Sequence, residues 1–479
     1  MSIVFGELLV RDRLITRTQL NVALAQQQQT GGRLGDALVA TGALSAEALE
    51  RIFHTVPPVP RSVAQTGLSE TRLTDLMLKT AYFEGQAFSV QDMASKLCLP
   101  LGVMDELAEQ AKIEHLLAAR SVEGFSRQSQ AYVLTELGQT RAEMALRQSQ
   151  YTGPAPVPLA AYRVMLAHQT VRQIDIDADW MRRALSQLVI GPRLLAQLGP
   201  AFNSGRSIFL YGPPGTGKTS VAEALGRALS GEIYIPHAVE VDGQIIRIFD
   251  PAVHIKVADP SVAGEESLDL ESGVKHDPRW QRCRRPVLMV GGELTLESLD
   301  LEYDPVSKFY EAPAQMKAAN GIFILDDFGR QLVPPRQLLN RWIVPLERGS
   351  DFLALHTGKK LELPFDQITI FCTNLNPREL VDEAFLRRIR HKIQVPHQSE
   401  AEFLDILQRL CQLHGIQYEP QAAAHLVKTY YRDKNRPFAG SHPRDLVEQI
   451  IDQARFERHQ PTLSINTIDA AAANYFVDI

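Results

Sequence analysis

The run Gly212, Pro213, Pro214, Gly215, Thr216, Gly217, Lys218, Thr219 has the spacing G-x-x-x-x-G-K-S/T, and it constrains the fold of its surroundings more than any other stretch. Before it, Ser207, Ile208, Phe209, Leu210 and Tyr211 read as a buried strand; after it, Val221, Leu225 and Leu229 recur at helical spacing. The glycines therefore make a strand-to-helix turn whose bare N–H groups face a phosphate at a helix N-terminus, where the helix dipole favours anions. Lys218 is placed to neutralise β- and γ-phosphates, and the Thr219 hydroxyl to complete a magnesium shell. The expected nucleotide contacts run from Gly212 through Ser220, with ATP and Mg2+ as ligands.

With 479 residues the chain exceeds what one core can bury, and its length suggests about three to four domains. A hydrophobic share of 45% with 22% charged residues describes a globular protein, and a formal net charge of -6 gives no general attraction to nucleic acid. No uninterrupted apolar stretch approaches the roughly 18 residues that a membrane span needs, and the N-terminus lacks a basic segment followed by an apolar one. The expectation is a cytoplasmic chain without a membrane span. Cys98, Cys283, Cys372 and Cys411 are scattered without C-x-x-C spacing, which argues against a disulfide framework or a zinc knuckle. His237, His254 and His276 likewise have no metal-ligand spacing.

Residues 1–56 repeat at an offset of 29: Gly6 matches Gly35, Leu9 Leu38, Val10 Val39, Ile15 Leu44, Leu20 Leu49 and Leu24 Phe53. Each copy predicts a small helical unit, with Thr16 and Ser45 as equivalent N-caps. The pattern resembles the N-terminal domain of type II secretion and type IV pilus assembly ATPases, some of which bind cyclic di-GMP through tandem R-L-G-type motifs. Arg33, Leu34, Gly35, Gly42 and Gln27 carry the likeness; Val4, Arg13 and Val56 depart from it, at an arginine, a glycine and a glutamine position. The resemblance implies either cyclic di-GMP sensing or a docking domain that kept the fold and lost the ligand.

After a proline-bearing stretch from His54 to Glu70, read as a linker, residues 71–148 show a helix-turn-helix order. Leu73, Leu76, Met77 and Thr80 share one helical face, Gly85 ends it, Ser89 caps a second helix, and Leu99–Pro100 introduces a third. Leu116 to Leu134 alternates around Gly124 as two strands would, so the whole resembles an α+β winged helix. Its third helix carries Asp105, Glu106 and Glu109 against Lys112, which disfavours DNA despite Arg120 and Arg127 and favours protein docking.

A second linker, Tyr151 to Pro158, precedes the nucleotide segment. Val189, Ile190 and Gly191 precede the loop where ATPases of the AAA+ class, which this segment resembles, place an adenine-contacting turn, and they fit a plain helix end equally. Ile322 to Leu325 predicts a buried strand ending in Asp326 and Asp327, with Asp326 as magnesium ligand. Ile368 to Cys372 predicts another, ending in Thr373 and Asn374. Asp382 to Arg390 and Ser441 to Asp445 follow, and the order resembles AAA+ ATPases over residues 175–479. The resemblance implies that Asp327, where the family usually has Glu, polarises the attacking water. It also implies that Asn374 contacts the γ-phosphate, that Arg388 or Arg387 serves a neighbour as an arginine finger, and that Arg444 reaches the triphosphate from a lid. Val239 to Asn320 reads as a long insertion with an exposed acidic stretch, Glu265 to Glu271.

The expected organisation is therefore multidomain: an all-α unit over 1–56, the winged helix over 71–148, an α/β core with a parallel sheet over 160–398, and an all-α lid over 399–479. The expected function is ATP hydrolysis driving the remodelling or assembly of a protein partner, in a homo-oligomeric ring for which a hexamer is the expected number. An ATP-switched DNA-binding regulator and an ATP-binding scaffold with little turnover are the alternatives.

Overall fold

In the computed structural model, residues 10, 15–30, 34–45, 56–85, 87–120, 131–257, 276–380 and 386–476 are described. Five short strands form one parallel sheet in the order Val287–Val290, Ile322–Leu325, Ile368–Thr373, Ile208–Tyr211, His391–Gln394. The three central strands are near-continuously hydrophobic because both of their faces are covered, as parallel sheets require, whereas the outer strand His391–Gln394 buries Ile393 alone. Alternate side chains divide the core in two. Ile208, Leu210, Ile322, Ile324, Ile368, Ile370 and Cys372 pack beneath the helices Pro192–Asn203 and Lys218–Ala228. Phe209, Phe323, Leu325 and Phe371 pack on the other side around the fully buried Trp342 of the helix Pro335–Arg348. Phe209 stacks on Phe371 with ring centres 5.7 Å apart, and Phe323 meets Trp342 edge-on at 5.5 Å.

The stretch expected as an insertion contributes to this core. Val287–Val290 is the sheet's edge strand, paired in register with Ile322–Leu325. Pro286 and Gly291 bound it so tightly that its four residues carry no distinguishing period. The remainder joins Val157–Pro158 in a second sheet ordered Glu302–Asp304, Phe309–Glu311, Gln244–Arg247, Ala238–Val241, Val157–Pro158, and its strand Trp280–Arg284 pairs with Glu232–Pro236 in a ribbon. The acidic stretch 265–271 lies outside the described residues.

Towards the N-terminus, the helix Arg17–Thr30 starts with Thr16 and Gln19 exchanging hydrogen bonds, and it packs with Leu34–Ala40 around Leu20, Ala23 and Leu38. Val4, Gly6, Leu9, Arg13, Arg33, Leu49 and Phe53 lie outside the described residues. In the next unit Ser69 and Ser89 cap the helices Glu70–Glu84 and Val90–Leu97 with their side chains, and Gly85 ends the first at a left-handed φ of 62°. The helix Leu101–Ile113 follows, then an antiparallel pair, Leu117–Arg120 with Ala131–Leu134, to which Phe88–Ser89 adds a third strand. Gly124 and Arg127 lie outside the described residues.

The proline-rich stretches expected as linkers are packed. Pro57, Pro60, Val63, Leu68, Tyr151, Ala155 and Val157 are buried, and Val157–Pro158 is a sheet strand. Proline marks a lack of regular structure but says nothing about burial. A buried ion pair ties the region together: Arg279 reaches both Asp277 oxygens at 2.7–3.1 Å and donates to the carbonyls of Thr66 (2.9 Å) and Pro156 (3.2 Å). Both charges are 4% exposed. The last unit is helical, from Glu400–Leu413 to Ile465–Tyr475, around Phe403, Tyr431 and Leu446. Arg279→Ala strands a buried carboxylate and is expected to destabilise the fold by about 3–5 kcal/mol. A urea-unfolding midpoint equal to wild type would show that the pair is dispensable.

Candidate nucleotide site

Parallel register places the chemistry at one sheet edge. Tyr211 lies beside Thr373, and Leu325 beside Phe371, so the loop after Tyr211, the acids after Leu325 and Asn374 after Thr373 leave the sheet side by side. The loop turns through Gly212, Gly215 and Gly217 with φ of 149°, 72° and 87° and delivers the helix Lys218–Ala228. At Gly212 a Cβ would sit 2.2 Å from the Val395 carbonyl oxygen, so only glycine fits.

Lys218 is buried, and its ammonium donates to the carbonyls of Gly212 (3.0 Å) and Pro213 (2.7 Å). Burial holds its pKa below the ordinary lysine value, against the opposing fields of Cys372, Asp326 and Asp327. An incoming phosphate would favour the charged form that burial disfavours. The Thr219 hydroxyl donates to Asp326 Oδ1 at 2.8 Å, which brings two hard oxygen ligands together. Mg2+ typically takes one or two protein ligands and completes its shell with water and phosphate, and this pair fits that demand. Asp327 is exposed, with a left-handed φ of 46°, and its Oδ1 accepts from Asn374 Nδ2 at 3.4 Å.

A cleft of about 870 Å³ joins these groups to Val189, Ile190, Ser220 and, from the C-terminal helical unit, Ser441 and Arg444. Ser441 N donates to the Gly215 carbonyl at 3.0 Å, which holds that unit against the loop. Arg387 and Arg388 lie apart from the cleft of their own chain. Arg388 pairs with Glu347 at 2.5 Å, and Arg387 lines a separate hollow with Arg378 and Lys392. Asp382 to Phe385 lie outside the described residues.

Sequence reasoning missed Gln331, His397 and Gln398. Gln331 donates to the Asp326 carbonyl (3.0 Å) and accepts from Gly329 N (2.7 Å), so it braces the acidic turn. His397 and Gln398 line the cleft, and their Nδ1 and Oε1 atoms are buried without a hydrogen-bond partner among the described residues. Burial and nearby Lys218 lower the His397 pKa, which favours the uncharged ring. The signal for both was their place just past His391–Gln394, the strand beside Ile208–Tyr211.

Residues 208–262 match the AAA family, described as ATPases associated with various cellular activities. Residues 399–474 match a domain of unknown function, DUF8689. Over 53 residues the chain is 43% identical to a vesicle-fusing ATPase of Dictyostelium discoideum, a stretch covering 11% of this chain and 7% of that relative. Among solved structures it is similar to NtrX of Brucella abortus in complex with ADP, at 16% identity and a TM-score of 0.35, over 68% of this chain and 64% of that one. It is also similar to a RuvB mutant of Thermotoga maritima, at 11% identity and a TM-score of 0.32, over 64% and 72% of the two chains.

A Cβ at Gly215 would lie 2.6 Å from Ser441 Oγ, on a backbone that L side chains rarely adopt. Gly215→Ala is therefore expected to push the helical unit off the loop and weaken binding of a fluorescent ADP about tenfold. Unchanged affinity would show that this contact does not shape the cleft.

Proposed function

We propose that the chain binds ATP with Mg2+, hydrolyses it to ADP and phosphate, and uses the cycle to remodel or assemble a protein partner as a homo-oligomeric ring. The observation that carries the reading is the convergence of Lys218, Thr219, Asp326, Asp327 and Asn374 on one cleft, with Arg444 across it. Glycine-loop N–H groups and Lys218 hold the phosphates; Val189 and Ile190 flank the base. Bound through Thr219 and Asp326, Mg2+ would supply charge neutralisation at the phosphate oxygens. Asp327 takes the proton of the attacking water, and Asn374 fixes that carboxylate.

Arg388, held by Glu347 away from its own cleft, suits delivery to a neighbouring subunit, where it would stabilise charge on the transferring phosphoryl group. Hydrolysis would then depend on assembly. The 71–148 unit serves as a protein-docking module. Its acidic helix is already engaged, with Glu106 accepting from Val63 N (3.0 Å) and Glu109 from Tyr132 (3.3 Å), while Leu101 and Ile113 stand exposed. An ATP-binding scaffold with little turnover is the second reading, favoured by the short, exposed reach of Asp327.

Asp327→Asn is expected to retain ATP binding and lose phosphate release by about 100-fold or more. Phosphate release from wild type no faster than from Asp327→Asn would leave the scaffold reading. Mixing Lys218→Ala with Arg388→Ala should recover part of the activity that each lacks alone, because mixed rings contain intact composite sites. Absence of recovery, with both variants assembling normally, would remove the finger from Arg388.

A further inference from the structure

A second cleft, of about 390 Å³, lies between the helix Glu70–Glu84 and the sheet that carries Ala238–Val241 and Gln244–Arg247. It is remote in sequence from the phosphate loop, and nothing in the reading above uses it. Four of the charges lining it come from two elements: Arg72, Asp75 and Lys79 on the helix, Glu240 on the sheet; Asp242 in the hairpin turn is the fifth. The aromatic wall is Tyr303 and His356, whose rings stack at 4.2 Å.

Charge accounting singles out one residue. Arg72 faces Glu240 at 4.0 Å, Asp75 pairs with Arg141 at 2.9 Å, and Asp242 pairs with Lys359. Lys79 alone of the five has no ion-pair partner among the described residues. Its ammonium is buried, with the residue 5% exposed, and it donates to one acceptor, the Ser149 carbonyl at 2.9 Å. An ammonium carries three donors, and burying it without a counter-charge is costly. Burial pushes the Lys79 pKa down to about 8 against the opposing field of Asp75.

We propose that this cleft is a second ligand site, for a small monocarboxylate with a flat apolar body, whose carboxylate pairs with Lys79. Lys79 is the lining cation that no carboxylate pairs among the described residues, so it suits one negative charge; a dianion would meet Asp75, Glu240 and Asp242, and a cation would meet Arg72 and Lys79. The volume is that of a small-molecule site. Leu68, Leu76 and Ile245 supply apolar walls, and the Tyr303–His356 stack offers a flat surface for a ring. Because the walls come from two units, the occupant would hold the helix Glu70–Glu84 against the nucleotide-binding part of the chain. The site stands independently of ATP hydrolysis.

Benzoate is the probe, titrated into the full chain by calorimetry, with benzamide and sulfate as neutral and dianionic controls. Benzoate binds and both controls do not. Its Kd rises about tenfold from pH 7 to pH 9, because a lysine of pKa near 8 goes from nearly all charged to about one tenth charged. Lys79→Arg, which keeps the charge, removes that pH dependence, and Lys79→Met removes binding. Should neither variant fold, the wild-type titrations decide alone. No benzoate binding at ~50 mM, equal binding of benzamide, tighter binding of sulfate, or a Kd that does not change between the two pH values overturns the proposal.

Discussion

The parallel register of three four- to six-residue strands is the constraint on which the candidate site depends. Ile208–Tyr211 and Ile322–Leu325 both pair with Ile368–Thr373, and the pairing brings three chain segments, separated in sequence by more than 150 residues end to end, to a common edge. Side chains alternate with a period of two, so a slip of one residue would send Phe209, Phe323 and Phe371 to the face under the helices Pro192–Asn203 and Lys218–Ala228 and Ile208, Ile324 and Ile370 towards Trp342. The large rings fill one side of the sheet and the branched aliphatics the other. Size sorting of this kind fixes the register, and the register fixes the distance between Thr219 and Asp326.

The same geometry accounts for the shorter acid at position 327. The chain leaves Leu325, turns at Asp326 and passes through a left-handed residue at Asp327 before Phe328 N donates to the Cys372 carbonyl at 2.7 Å. Aspartate and asparagine tolerate that conformation better than longer side chains, because their short polar groups bond locally. Here the local partner is Asn374. A glutamate would add reach but give up that tolerance, so the backbone and the carboxylate length are coupled at this turn.

What was legible in the sequence was local. The phosphate loop, the two acids after Ile322–Leu325, and Thr373–Asn374 each sit at the end of an apolar run, and an apolar run is readable without knowing its partners. The caps at Ser69 and Ser89 and the stop at Gly85 were readable for the same reason. Val287–Val290 was not, since four apolar residues in a long irregular stretch gain meaning only from Ile322–Leu325 beside them. Nor were Gln331, whose bonds to Asp326 and Gly329 depend on the shape of the acidic turn, and His397 and Gln398, which reach the cleft only because His391–Gln394 pairs with Ile208–Tyr211. Arg279 is the sharpest case: nothing in its sequence neighbourhood distinguishes a surface arginine from one that is 4% exposed and bonded to three segments.

That arginine also bears on where the chain can move. Both stretches that read as linkers are pinned, one by Pro57 O accepting from Asp277 N at 2.9 Å and by Thr66, the other by Pro156 and the strand Val157–Pro158. Separating the 71–148 unit from the second sheet would expose a buried ion pair, a loss of several kcal/mol. The C-terminal helical unit meets the core differently, through separate hydrogen bonds from Ser441 N to the Gly215 carbonyl (3.0 Å), from Gln398 N to the Phe438 carbonyl (2.9 Å) and from Arg409 to the Ser186 carbonyl (3.1 Å), each contributing about 1 kcal/mol. Motion linked to a nucleotide in the cleft is therefore cheaper at this junction than at the buried Arg279–Asp277 pair.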